Sequence, residues 1–190
     1  ELCVNLYYNG FLKHEYGYFP QCMSRYFFRN PDKLLEKIRG DDALYFEFQW
    51  HYRLPSEAFF DIGQLLHWTD VMINASDFDA DKVTLVGSIL GKAPDGDDGI
   101  FPIETVRKLL KIKKNEELTT AVARGKINSL GLRDVEDGKK EREKSDIYKM
   151  QARAMEIDYP QTSVILRILA NFYERESKRD QISSEIEPLQ

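Results

Sequence analysis

From Phe46 to Leu54 large apolar residues alternate strictly with polar ones. Phe46, Phe48, Trp50, Tyr52 and Leu54 fall on one side, and Glu47, Gln49, His51 and Arg53 on the other. A period of two is that of a half-buried β-strand, with the polar side left to face solvent, a ligand or a partner. Upstream, Asn9-Gly10 separates Leu6-Tyr7-Tyr8 from Phe11-Leu12-Lys13. Asn-Gly takes the positive φ angles of a tight type I′ turn, so a β-hairpin is expected over residues 2–19. Lys82 to Leu90, with Val83, Leu85 and Val86, reads as a further strand.

Helical spacing governs other stretches. Pro31, beside Asn30 and Asp32, opens a short helix whose face is Leu34, Leu35 and Ile38, ending at Gly40. Pro55 and Ser56 open another through Phe59, Phe60, Ile62, Leu65, Leu66 and Trp68, followed by the apolar stretch Val71 to Ile73. Beyond the turn-forming run Gly91 to Gly99, Pro102 starts a helix carrying Ile103, Val106, Leu109 and Leu110. Asn115-Glu116-Glu117 caps the next, with Leu118, Val122 and Ile127 inward. Ile147, Met150, Ala154 and Ile157 recur at spacings of three, four and three, which predicts an inward stripe. Pro160 then opens a long helix with Val164, Ile165, Ile168, Leu169, Phe172 and Tyr173 inward. The short Pro-containing connection predicts an antiparallel αα-hairpin. Glu174 to Asp180 has no apolar residue and should project beyond the core, while Ile182, Ile186 and Leu189 form a tail able to dock or dimerise.

These elements predict an α+β protein. Its N-terminal lobe (1–92) is a small antiparallel sheet with helices, a Gly/Asp-rich loop spans 93–100, and a helical lobe (101–190) ends in the αα-hairpin. One continuous domain is the alternative.

Composition sharpens the contrast between the halves. Sixteen of the 23 aromatic residues lie in the first 60 positions, so most apolar area to be buried sits at the front. Residues 1–99 carry nine Lys and Arg against 16 Asp and Glu, whereas residues 100–190 carry 18 against 16. Neither half is a basic surface, which disfavours nucleic-acid binding, since that depends on neutralising phosphates. No apolar run approaches the roughly 20 residues of a membrane span. Glu1 to Asn5 lacks the basic and apolar regions of a signal peptide. Cys3 and Cys22 stand among aromatics without a second ligand motif, which reads as buried thiols in a cytoplasmic protein; a Cys3–Cys22 bridge would overturn that location.

Candidate chemistry is sparse. Asp77, Asp79 and Asp81 are spaced like the start of a calcium loop, but Lys82 and Ser88 occupy positions that need a Gly and a bidentate Glu. A solvated cap or turn is the expectation, as is a polar loop for Asp95, Asp97 and Asp98. His51, beside Glu47 on the predicted strand, would need His14 or Asp61 to converge on it for general acid–base work. Gly87-Ser88-Ile89-Leu90-Gly91-Lys92 fails the spacing of a phosphate loop. Arg107, Lys108, Lys111, Lys113 and Lys114 concentrate positive charge, either as a solvated helix face or as a contact for an acidic surface. No cofactor or resident metal is expected.

From Phe101-Pro102 to Arg179-Asp180 the order of features resembles a helical segment of uncharacterised bacterial proteins. The residues that carry it are Pro102, Val106-Arg107, Glu141-Arg142-Glu143, Tyr159-Pro160-Gln161-Thr162, and Leu169 to Glu176. The resemblance implies a bacterial cytoplasmic protein and transfers no activity. A non-catalytic protein-interaction or accessory module with a protein partner or a second copy is therefore expected. An enzyme or small-ligand binder with a cleft at His51 comes second, and a nucleic-acid binder through Arg107 to Lys114 third.

Overall fold

The computed structural model describes residues 21–39, 42–75, 81–130 and 138–186, and every regular element among them is helical. In chain order these are α1 (Gln21–Arg29), α2 (Pro31–Ile38), α3 (Asp42–His51), a 3-10 turn (Ser56–Phe59), α4 (Ile62–Asn74), α5 (Lys82–Leu90), α6 (Glu104–Lys113), α7 (Glu116–Asn128), α8 (Lys139–Met155) and α9 (Pro160–Ile186). The α+β class is thereby corrected to all-α over the described residues. The hairpin expected over 2–19 lies outside them.

The clearest expected strand is α3. Among the side chains described there, Phe48 and Tyr52 just past the helix end, four residues apart, are buried, and Trp50 between them is not. The Phe48 ring meets Phe27 edge-on at 5.4 Å between centroids, and the Tyr52 hydroxyl donates to the Ser24 carbonyl at 3.0 Å. Trp50, which alternation would bury, is 51% exposed. Aromatic residues favour a pleated surface only where strands pair with them, and here the neighbours are helices.

The second expected strand is α5. Asp81 caps it by accepting from the Thr84 amide at 2.9 Å. Leu85 to Leu90 are all buried, and a run buried on every side carries no period that separates strand from helix. Gly87 and Gly91 explain the choice. They lie one turn apart against Ala121 and Gly125 of α7, so the two helices cross backbone to backbone. A Cβ on Gly87 would stand 2.2 Å from that of Ala121, and one on Gly91 2.6 Å from the Val122 carbonyl oxygen.

A buried apolar cluster joins the two halves, running from Met23 and Phe27 through Trp68 and Leu85 to Val122, Ile165 and Leu169. The loop between them is clamped from α6. Arg107, 3% exposed, gives both amino groups to Asp98 at 2.6 and 2.7 Å, its Nε to the Pro102 carbonyl at 2.5 Å, and a further bond to the Ile100 carbonyl. That paired guanidinium holds the Asp98 carboxyl down to about 2.

α8 and α9 lie antiparallel and approach through small residues repeating every seven positions. Ser145 donates to the Ala170 carbonyl at 3.0 Å, Ser163 to Ala152 at 2.8 Å, and Ser177 to Gly138 at 2.7 Å. All six residues are buried. Gly138 has a φ of +73°, and a Cβ there would fall 2.5 Å from the Ser177 carbonyl oxygen, so the position requires glycine twice over. Lys149 bridges to Glu174 at 2.9 Å on the flank; together with Lys178 it lowers the Glu174 carboxyl to about 2.

Candidate functional site: the outer face of α8

α8 has two seams. The inner one, Gly138, Glu141, Ser145, Tyr148 and Ala152, faces α9, with Tyr148 stacked on Tyr173 at 5.6 Å. At 3.6 residues per turn, Ile147, Met150 and Ala154 fall on the opposite side of the helix. Ile157 in the following turn continues the line. This stripe, expected to face inward, faces out: Ile147 is 47%, Met150 64% and Ile157 90% exposed, and Ala154 is exposed too. The sequence signal was correct in period and wrong in direction. Serine, alanine and glycine bring α9 closer than isoleucine or methionine would permit, so the larger residues are left on the far side. Glu143 extends the stripe towards the helix N-terminus, and Asp146 and Arg153 flank it on one side, all three exposed.

A recess of about 440 Å³ opens near the end of α8, between the 3-10 turn, the 96–98 loop and the start of α6. Phe60, Asp97, Glu104, Met155 and Tyr159 line it. Phe60 is 86% exposed because the helix expected from Ser56 begins only at Ile62, where Asp61 accepts from the Gln64 amide at 3.0 Å. Glu104 is held by Lys108 at 3.0 Å and Asp98 by Arg107, so two of the three carboxylates on this wall are engaged.

The acid–base candidates do not meet the expectation of a shared strand face. His51 is the half-buried last residue of α3, with Glu47 one turn earlier on the same helix. Asp61 caps α4, and His14 lies outside the described residues. Asp81 caps α5, while Asp77 and Asp79 lie outside the described residues, among which no cluster of three or more His, Cys, Asp or Glu could hold a metal.

The basic row on α6 is divided by the fold. Arg107 is the buried loop clamp, Lys108 pairs with Glu104, Lys111 stands over the Tyr159 ring at 5.4 Å, and Lys113 pairs with Asp70. Lys114 is the exposed left-handed residue that ends the helix. Of the tail candidates, Ile182 is exposed on α9, Ile186 is the last residue of that helix, and Leu189 lies outside the described residues.

Sequence reasoning missed Lys92. Its ammonium donates to the Gln49 and Tyr52 carbonyls at the C-terminal end of α3, and burial, with Arg53 nearby, pulls its pKa down to about 7. The glycines before it resemble a phosphate loop of the wrong spacing, and a partner 40 residues away gives no local signal. Cys22 is disulfide-bonded, which corrects the reading of it as a buried thiol; Cys3, the other cysteine of the sequence, lies outside the described residues. Among the described residues no helix is long and apolar enough to cross a membrane.

No protein-family model matches the chain, and no curated protein or solved structure is significantly similar to it.

Proposed function

We propose that this chain is a non-catalytic protein-interaction module that offers the outer face of α8 to a helix of the same kind, one with an apolar stripe bordered by charge. The observation that carries this reading is the exposed line of Ile147, Met150, Ala154 and Ile157 on a helix already seated by its opposite face. Solvent-facing apolar residues at three and four spacing form the surface into which knobs of a second helix pack. The fastening of α8 along α9 supports the same reading, because a held helix pays less ordering entropy on binding than a loose one. The resemblance of residues 101–180 to uncharacterised bacterial proteins is consistent with a bacterial accessory role. The cytoplasmic location depends on reduced cysteines, and the disulfide at Cys22 favours an oxidising compartment instead. Mass spectrometry of the unreduced chain from its native source distinguishes the two.

The test is a photo-reactive residue introduced at Met150 in cells that make the protein. Adducts with a defined protein that vanish when Ile147→Asp is added are expected. Adducts no more abundant than from a control position such as Thr120, on α7, would count against the reading.

A further inference from the structure

We propose that the occupant of the outer face of α8 is a second copy of this chain, laid antiparallel across a two-fold axis; this rests on the interaction reading above. A symmetric pair requires a surface that complements itself. The stripe does so in the register that sets Ile147 opposite Met150 of the second copy and, by symmetry, Met150 opposite its Ile147. In that register Asp146 faces Arg153 of the second copy, and Arg153 faces its Asp146. Both residues are exposed, carry opposite charge and stand seven positions apart on the same flank. Such spacing is what antiparallel helices need to match flanking charges reciprocally. On the other flank Lys144 stands over the Tyr173 ring at 5.1 Å and Gln151 donates to the Gly99 carbonyl at 3.2 Å within the same chain, so no like charges meet there. A parallel pair in register would instead place Lys139 beside Lys144, Asp146 beside Gln151 and Arg153 beside Asp158, so that its one kind of attraction is offset by a repulsion, whereas the antiparallel pair has attractions alone. Charge complementarity therefore selects a second copy and selects its orientation.

The inner seam leaves this arrangement unobstructed, because α9 lies on the opposite side of α8. One helix pair buries less than the roughly 1,200–2,000 Å² of a standard stable interface. The dimer is accordingly reversible, forming as concentration rises.

Sedimentation velocity of the full chain over a concentration series tests the proposal. A monomer–dimer equilibrium is expected for the wild type. Asp146→Arg and Arg153→Asp should each weaken dimerisation about tenfold, by turning two attractions into two repulsions. The double variant Asp146→Arg/Arg153→Asp should recover to within a few-fold of wild type, which a merely unfolded single variant could not mimic. Met150→Glu should abolish the dimer. A wild type that stays monomeric to about 1 mM overturns the proposal, as does a dimer indifferent to all four variants. If the wild type is monomeric while the photo-reactive residue at Met150 captures a different protein by the Ile147-dependent criterion, the second copy is overturned and the interaction reading stands. If neither is seen, both fall.

Discussion

The α5–α7 crossing and the α8–α9 pair use the same device and reach opposite ends. Both bring two helices into close approach through small residues. At α5–α7 glycine meets alanine and glycine, and Leu85 to Leu90 disappear completely into the core. At α8–α9 serine hydroxyls reach carbonyls every seventh residue, and Ile147 and Met150 of α8 are turned towards solvent. Small residues at a crossing therefore do not determine whether a helix is interior. What surrounds the second face does: α5 is enclosed by α3, α4 and α7, whereas α8 rests chiefly on α9.

The sharpest way to break this comparison is to enlarge the crossing that cannot yield. Gly91→Val forces atoms against backbone of α7 and should cost about 3 kcal/mol or more, read as a lowered urea midpoint. Arg107→Met removes the buried clamp on the loop from Asp98 to Pro102 and should cost about 3 kcal/mol, since Asp98 and two carbonyls lose their donor. The clamp also fixes an acid limb. Asp98 titrates near 2 in the folded chain against about 3.9 unfolded, so its contribution is complete above pH 4 and is lost as pH falls through 2. Arg107→Met should flatten the stability profile across that window, measured by chemical denaturation at successive pH values.

Smaller effects belong to the outer pair. Ser145→Ala with Ser163→Ala should cost about 2 kcal/mol together, one per hydrogen bond, leaving α8 measurably less protected in amide exchange. Met150→Lys should change stability by no more than about 0.5 kcal/mol, because the residue is already in water. A clear loss of stability there would mean that the outer face is packed within the chain and would erase the contrast.

Much of the chain was legible one element at a time. Pro31 and Asn115 mark helix starts because the fixed φ of proline and the amide of asparagine act on adjacent backbone, and the Asn115 side chain does accept from the Leu118 amide at 2.9 Å. Helix faces at Leu34, Leu109 and Leu169 follow from spacing alone. Phe46 to Leu54 is misleading because alternation of large residues is also compatible with a helix end that buries Phe48, Tyr52 and Leu54 while leaving Trp50 exposed. The α8 stripe had the right residues and the wrong direction, since periodicity identifies a face without saying what lies against it. By charge Arg107 reads as one of a row with its lysine neighbours, although its carboxylate partner, nine positions earlier, reads as part of a polar loop.

The seven-residue spacing of the three serine bonds also makes α8 a registered part. Sliding it along α9 by a single turn would take all three hydroxyls out of reach of their carbonyls at once and drive the Gly138 backbone off the one site shaped for it. There is no graded half-step. A load applied to the outer face is thus passed to the body of the protein as the displacement of a stiff strut, or it detaches the strut whole.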